Sequence, residues 1–358
     1  MSRRVSQESS ILVRGPNWLG DLVMATPGFR ALRFSFPDSR ICLQVREGLE
    51  PVVAGAPWFD EVLPVRSYHR GLAAMWAEAQ RLRGVHRFDV GVCIPDSFSA
   101  ALFMRMEGVS RVVGYGGGAR GVLLHQKVPV PSSWGPRRLV ARERFVLGLM
   151  DALGCEEQGT HLELFATEEE ERRAAAALEG AGFSDHSSGP ILLLAPGASF
   201  GPSKCWPAPN FARVGDAAVG AGARVVVTGD ASELELCQSV CSAMTRPALN
   251  LAGNLDLGGL KALVRSSAAV VSNDAGTRHL AAAFGVPCAV LMGPTSLEKT
   301  PLNLSSVRIF ETDVSCRPCY RRHCPIDHRC MTRLPVEDVV SFTLESVARA
   351  AGGQVACP

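Results

Sequence analysis

Short apolar runs alternate with helical segments along this chain of 358 residues, and this alternation constrains its fold more than any other feature. The runs at residues 10–14, 41–45 and 191–195 have the length of buried strands, and loops and helical segments separate them. Near-continuous apolar strands that alternate with helices are typical of parallel sheets covered by helices on both faces. We therefore predict an α/β fold.

This alternation of strand and helix segments runs through the first half of the chain, stops at a polar stretch, and begins again at residue 190. Because a single core rarely serves a chain of this length, we predict two Rossmann-like, doubly wound domains that face each other across a cleft. The predicted bounds are 1–165 for the first domain, 166–189 for a linker with a charged helix and a polar loop, 190–335 for the second domain and 336–358 for a C-terminal helix.

Composition excludes several classes of protein. No apolar run approaches the roughly 18 residues of a membrane span, and the polar first ten residues lack the apolar core of a signal peptide, so we expect a cytoplasmic protein. A net charge of only +2 argues against nucleic acid as a partner. A slight excess of basic side chains in the first half suits a phosphorylated acceptor or an anionic membrane leaflet, although a solvated surface explains it equally well.

The first candidate motif (RGPNWLGD, residues 14–21) joins the first predicted strand to its helix. Asp21 is placed near the start of that helix, where it serves either as a cap or, on a loop facing a cleft, as a general base. The glycine spacing fits neither a dinucleotide fingerprint nor a P-loop. Both interpretations of Asp21 stay open from its position alone.

The second and third candidate motifs follow strands of the second domain. In PGASFGPSKCWP (residues 196–207), two glycines let backbone amides approach an anion and Lys204 offers a cation to phosphate; the alternative is a structural loop with one exposed lysine. In SNDAGTRH (residues 272–279), the start of a helix beside Gly276 predicts an anion cradle. His279 on that helix is either a packed core histidine or a donor contact.

Twelve cysteines occur in the chain, and one cluster of four lies near its C-terminal end. Cys316, Cys319, Cys324 and Cys330 fall within fifteen residues and can close a tetrahedral structural zinc site. Their spacing is tighter than that of paired zinc knuckles, so free thiols or redox-sensitive thiols remain the alternative.

Together these segments resemble glycosyltransferase family 9, the lipopolysaccharide heptosyltransferases. The likeness is carried by residues 15–21, by 196–207 and by the spacing of Asn273, Asp274, Gly276 and His279, with further likeness at 95–99 and 293–295. It implies a GT-B fold and an inverting transfer of L-glycero-D-manno-heptose from ADP-heptose to heptosyl-Kdo-lipid A, in lipopolysaccharide inner core biosynthesis. The alternatives are heptosyltransferase I activity, another ADP-sugar or, from a different class, a nucleotide-sugar-binding protein without turnover.

The resemblance also implies roles for individual residues. Asp21 looks like the base that activates the acceptor hydroxyl, and Lys204 like the group that neutralises the leaving diphosphate. The implied donor-binding residues are Ser199, Lys204, Asp230, Asp274, Gly276, Thr277 and His279, and the implied acceptor-side residues are Asn17, Gly20 and Asp96. Peripheral contact with the cytoplasmic leaflet of the inner membrane is a further expectation.

Two positions depart from the family pattern, and both affect the donor site. Ala275 stands where the family usually has serine or threonine, so a hydroxyl contact to the diphosphate is missing unless Thr277 supplies it. Cys205 stands where the family often has arginine.

Because fixed cations and helix amides can replace a divalent ion, and no D-x-D pair follows a strand, we predict that catalysis needs no metal or other cofactor.

Overall fold

The computed structural model describes residues 9–66, 71–135, 138–180 and 189–352. The chain divides into two compact units, Met1–Phe165 with Glu298–Leu302, and Ala166–Leu297 with Asn303–Pro358. Each unit is an α/β structure built on one six-stranded parallel sheet, which confirms the predicted fold class.

The first unit contains a sheet in the order β3-β2-β1-β4-β5-β6. Its strands are β1 Ser10–Arg14, β2 Arg40–Arg46, β3 Glu61–Val65, β4 Val90–Cys93, β5 Arg111–Tyr115 and β6 Gln126–Val128. Its helices are α1 Leu19–Met24, α2 Thr26–Ser35, α3 Glu50–Val53, α4 Leu72–Val85, α5 Phe98–Met106 and α6 Arg142–Asp151. Short 3-10 turns at Gly118–Leu123 and Ser132–Trp134 complete it.

The second unit contains a sheet in the order β12-β11-β10-β7-β8-β9. Its strands are β7 Ile191–Ala195, β8 Arg224–Val227, β9 Leu249–Asn250, β10 Ala269–Asn273, β11 Cys288–Met292 and β12 Val307–Glu311. Its helices are α7 Glu168–Gly180, α8 Ala208–Gly220, α9 Leu234–Ala243, α10 Leu257–Ser266, α11 Gly276–Phe284, α12 Arg329–Thr332 and α13 Val336–Ala350. Further 3-10 turns lie at Pro202–Lys204, Ala231–Glu233 and Leu297–Lys299.

The two sheets have the same topology, because each places its first and fourth strands side by side at the centre. In the first unit β1 pairs with β4, and in the second β7 pairs with β10. Chain connections leave these central strands in opposite directions, which creates the switch point where doubly wound sheets bind ligands. Asp21, Lys204 and Asp274 follow the central strands β1, β7 and β10 respectively, at these switch points.

Buried strands account for most of the core, as the apolar runs predicted. Every residue of β7, β10 and β11 is buried. Trp206 is 1% exposed and packs edge-on against Phe211, so it packs under its loop rather than presenting a face for stacking. Five cysteines outside the C-terminal cluster are buried as small core side chains, namely Cys42, Cys93, Cys155, Cys237 and Cys288.

The segment predicted as a linker carries a helix that packs within the second unit. Helix α7 lies against α10, and the Glu170 carboxylate lies 3.0 Å from the Lys261 ammonium in an ion pair that is almost fully buried. The polar loop predicted at 184–189 lies outside the described residues except for Gly189.

The sequence predicts a single helix after the first motif, but the structure divides it at Ala25 into α1 and α2. Pro27 has no backbone N–H to donate to the carbonyl of Val23, which a continuous helix would require. The hydroxyl of Thr26 donates to that carbonyl instead, at 2.8 Å. The strands β6, β9 and β12 and the helices α3, α6 and α12 were not predicted, because their apolar character is too short or too mixed to stand out.

Candidate functional site

The loop between β1 and α1 in the first unit carries the predicted acceptor-activating base. Asp21 is the third residue of α1, and Trp18 occupies the cap position without a side-chain hydrogen bond, so Asp21 is not the helix cap. Its carboxylate Oδ1 lies 3.3 Å from Nε of Arg142 at the start of α6, and its side chain remains 31% exposed. A carboxylate held by one guanidinium and still open to solvent is accessible to a substrate hydroxyl.

A fully buried guanidinium fixes the shape of this loop. Arg14 donates to the carbonyl of Gly15 at 2.9 Å and to the side-chain oxygen of Asn17 at 2.6 Å. The N–H of Gly15 donates to the carbonyl of Gln44 at 2.8 Å, and a Cβ on Gly15 would lie 3.1 Å from that oxygen. The structure therefore places Asn17 in the frame of the loop, and Gly20 beside Asp21 in α1.

The predicted acceptor-side carboxylate of Asp96 follows β4, the neighbour of β1. Its Oδ1 lies 2.7 Å from Nη1 of Arg120, and its Oδ2 accepts a hydrogen bond from Arg138. Arg120 is 4% exposed and also donates to the carbonyl of Pro95 at 3.0 Å. Neither arginine was predicted, because each reaches Asp96 only through the tertiary fold, from more than twenty positions away.

In the second unit, the structure brings two of the predicted donor-site residues into direct contact. Lys204 ends a 3-10 turn after β7, and Asp274 follows β10. The Lys204 ammonium donates to Oδ2 of Asp274 at 2.7 Å and to its backbone carbonyl at 2.6 Å, and both side chains are 12% exposed. The same ammonium lies 5.2 Å from the centre of the Phe200 ring. This pair joins the two loops at the switch point of the sheet.

The Asp274 carboxylate has two further partners that sequence reasoning missed. Arg278 donates to Oδ1 at 2.8 Å, and the hydroxyl of Thr295 donates to Oδ2 at 2.7 Å. Burial alone would raise the pKa of Asp274, but the charges of Lys204 and Arg278 outweigh it and hold that pKa well below its ordinary value. Arg278 lies only four positions after Asp274 in the sequence, and this short spacing was the available signal for the pair.

Helix α11 begins directly beside this cluster. Its cap residue, Ala275, has no side chain that can accept a hydrogen bond, so the first-turn amides near Gly276 and Thr277 have no side-chain cap from that position. His279 on the same helix is 8% exposed, and burial, together with the charge of Arg278, lowers its pKa to about 3. It is therefore neutral at neutral pH, where the two cations and the Asp274 carboxylate leave one net positive charge beside an open helix N-terminus.

Asn273, the last residue of β10, ties the two donor loops together. Its side chain is fully buried, donates to the carbonyl of Pro196 at 2.6 Å and accepts from the N–H of Trp206 at 3.1 Å. It belongs to the motif that carries the resemblance, yet it was not predicted as a site residue. Its role is to set the distance between the loops that carry Lys204 and Asp274.

The remaining predicted donor residues lie on the neighbouring loops. Ser199 is exposed in the loop after β7. Asp230 follows β8 and caps a 3-10 turn, accepting from the N–H of Ser232 at 2.7 Å. In the same turn, Glu233 accepts from the N–H of Asp230 at 3.1 Å, and a Cβ on Gly197 would meet its carboxyl group at 2.0 Å. Gly197 is thus required to seat Glu233, a residue the sequence did not single out.

The four clustered cysteines line a pocket of about 330 Å³, together with His328 and Ser203. Among the described residues, no group of three or more His, Cys, Asp or Glu side chains is placed to hold a metal ion. The predicted structural zinc site at Cys316, Cys319, Cys324 and Cys330 therefore receives no support. The cysteine-rich loop instead contacts the loop that carries Lys204, since His328 Nε2 lies 2.7 Å from the carbonyl oxygen of Ser203.

No helix within the described ranges is long and apolar enough to cross a membrane.

Net positive charge at an open helix N-terminus suits a diphosphate, and an accessible carboxylate on a switch-point loop suits a substrate hydroxyl. The geometry within each unit is thus compatible with transfer of a group from a nucleotide diphosphate.

Comparison with known proteins agrees with these features. The chain is 29% identical to lipopolysaccharide heptosyltransferase 2 of Salmonella typhimurium over 306 residues, covering 81% of this chain and 84% of that protein. The structure of ADP-heptose LPS heptosyltransferase II from E. coli has a TM-score of 0.79 at 24% identity and covers 96% of this chain and 99% of that one. A glycosyltransferase family 9 structure from Veillonella parvula has a TM-score of 0.82 at 19% identity, covering 97% and 100%.

These likenesses give the chain the fold of the GT-B heptosyltransferases. The model of glycosyltransferase family 9 (heptosyltransferase) matches residues 75–329, well over half of the sequence. The chain is a glycosyltransferase and belongs to family 9, the heptosyltransferases.

Proposed function

We propose that this enzyme transfers L-glycero-D-manno-heptose from ADP-heptose to the heptose of heptosyl-Kdo-lipid A, as a heptosyltransferase II of the lipopolysaccharide inner core. The observation that carries the proposal is the Lys204–Asp274 pair beside the N-terminus of α11, an arrangement whose charge suits a diphosphate. The similarity to heptosyltransferase 2 of Salmonella typhimurium supports the choice of sugar and acceptor.

The reaction is a single displacement at the anomeric carbon. The acceptor hydroxyl attacks that carbon, its proton passes to the Asp21 carboxylate, the bond from the anomeric carbon to the diphosphate oxygen breaks, and ADP leaves from the opposite face. This geometry inverts the anomeric configuration, and the transition state has oxocarbenium character, as in glycoside hydrolysis. Arg142, 3.3 Å from Asp21, keeps the carboxylate oriented toward the acceptor.

Negative charge that develops on the departing diphosphate is met by fixed groups of the second unit. Lys204 supplies a cation, and the first amides of α11 supply oriented dipoles. Asp274 holds the ammonium in place, and Arg278 compensates the charge of Asp274. These groups supply the electrostatic stabilisation that a divalent ion provides in metal-dependent transferases, so the proposal includes no metal.

Incubation with ADP-heptose and defined truncated core acceptors, followed by mass spectrometry, tests the proposal. We expect addition of one heptose to heptosyl-Kdo-lipid A, none to Kdo-lipid A, and the same rate in the presence of EDTA. Transfer to Kdo-lipid A alone would assign the enzyme to heptosyltransferase I. Binding of ADP in calorimetry without transfer to either acceptor would contradict an enzymatic role in this step.

A further inference from the structure

An exposed tryptophan lies in the same loop as the predicted base. Trp18 is 51% exposed and is the cap residue before helix α1, where its carbonyl accepts from the N–H of Leu22 at 2.9 Å. Asp21 follows three residues later, on the first turn of the same helix. Trp18 thus presents a large apolar surface to solvent one helical turn before the proposed base.

The tryptophan is presented by a rigid loop. Arg14, fully buried, holds the carbonyl of Gly15 and the side chain of Asn17 on the residues just before Trp18. The Arg46 guanidinium at the end of β2 lies over the indole, 5.9 Å from the ring centre. One face of the ring is therefore covered by a cation while the side chain as a whole remains half exposed, so the ring is held in place and open to a ligand.

A second exposed aromatic ring follows the neighbouring strand. Phe98 is 47% exposed and is the first residue of α5, two positions after Asp96. Since β1 and β4 pair in parallel, the loops that follow them emerge at the same edge of the sheet. The two carboxylates predicted on the acceptor side, Asp21 and Asp96, are thus each accompanied in sequence by one exposed ring.

Aromatic rings and sugars are complementary in a specific way. A pyranose ring has faces made of C–H groups, and these pack on the electron-rich face of an indole while the hydroxyls at the ring edge stay free to hydrogen-bond. Tryptophan does this with little loss of conformational freedom, because it has only two side-chain torsions. A charged side chain in this position would bind the anionic groups of an acceptor but would not orient a neutral sugar.

We propose that Trp18 is the acceptor-binding residue that stacks on the heptose whose hydroxyl is presented to Asp21, with Phe98 as a second apolar wall. This inference rests on the proposed function, because the heptose is the sugar of that acceptor. The stacked ring fixes the plane of the acceptor sugar, and Asp21, one helical turn away, then meets the hydroxyl at the ring edge. Trp18 thereby contributes to acceptor selection rather than to donor binding.

The test is a steady-state comparison of Trp18→Ala, Trp18→Phe and the unaltered enzyme, with heptosyl-Kdo-lipid A and with the same acceptor stripped of its acyl chains. Trp76→Ala is the matched control, because Trp76 is 58% exposed on α4 of the same unit. We expect Trp18→Ala to raise the acceptor KM about tenfold for both acceptors, on the scale of one lost aromatic contact. Trp18→Phe and Trp76→Ala should stay close to the unaltered enzyme.

Two readouts separate this role from a merely structural one. The ADP dissociation constant and the melting temperature should be unchanged in Trp18→Ala, since a half-exposed ring leaves no buried cavity when it is removed. An unchanged acceptor KM would overturn the inference, and an effect confined to the acylated acceptor would overturn it in favour of a lipid contact. Absence of transfer by the unaltered enzyme would remove the proposed function together with this inference, whereas efficient transfer by Trp18→Ala would remove the inference alone.

Discussion

Replacement of Lys204 by alanine tests the part of the mechanism that the structure defines most closely. The ammonium lies 2.7 Å from Oδ2 of Asp274 and is 12% exposed, so it is held at the switch point of the sheet rather than free in solvent. A hydrogen bond between charged groups is worth about 2 kcal/mol, which predicts an approximately 30-fold weaker affinity for ADP. Loss of a fixed donor to charge that develops in the transition state should lower kcat by about 100-fold.

The same substitution should disturb stability only slightly. Asp274 keeps Arg278 at 2.8 Å and the hydroxyl of Thr295 at 2.7 Å, so its carboxylate does not become an isolated buried charge. A loss of about 1 kcal/mol would lower the melting temperature by roughly 2–4 °C for a unit of this size. Calorimetric titration with ADP, thermal melting and steady-state transfer together give all three quantities.

Lys127→Ala is the control for this experiment, because Lys127 is exposed on β6 and its loss removes a lysine without touching the donor site. We expect that variant to match the unaltered enzyme in all three measurements. Weaker ADP binding in Lys204→Ala with kcat unchanged would limit Lys204 to ground-state binding. Unchanged affinity and unchanged kcat would refute the role of Lys204 altogether.

Two further substitutions have outcomes that follow from local geometry. Gly197→Ala places a Cβ 2.0 Å from the Glu233 carboxyl, so we expect displacement of that side chain and a loss of about 1 kcal/mol in melting experiments. Gly84→Ala is the control: its Cβ meets no atom within 4 Å and Gly84 lies in helix α4, so this variant should not be destabilised. Burial raises the pKa of Glu107 from 4.5 to about 8, so the folded state favours the neutral carboxyl group. The contribution of Glu107 to the free energy of unfolding is therefore full below pH 4.5 and is lost as the pH rises to 8. Glu107→Gln should therefore raise the melting temperature more at pH 8 than at pH 5, and equal shifts at both pH values would contradict this assignment.

The features that could be predicted from the sequence are those that depend on neighbouring residues along the chain. The length and apolarity of the strand segments predicted parallel sheets, and glycine-bounded loops after strands predicted where Asp21, Lys204 and Asp274 would lie. The structure places the last two in contact, which is a consequence of β7 and β10 pairing at the centre of the sheet.

The missed features depend on groups that meet only after the chain has folded. Thr295 reaches Asp274 from twenty-one positions away, and Arg120 reaches Asp96 from twenty-four, so no periodicity connects them. Gly197 was expected to let amides approach an anion, but the space that its missing side chain leaves is occupied by Glu233. The zinc prediction failed to gain support because four cysteines along a short stretch of chain do not by themselves make convergent ligands.

The central claim is that Asp21 takes the proton of the acceptor while the second unit independently holds ADP. Measurement of transfer rate and ADP affinity on one preparation of Asp21→Asn tests it, since the amide keeps the shape of the carboxylate but is not a base. We predict that transfer falls by a factor of about 10³, the scale of general-base catalysis, while the ADP dissociation constant stays that of the unaltered enzyme. Transfer within about twofold of the unaltered enzyme would contradict the account.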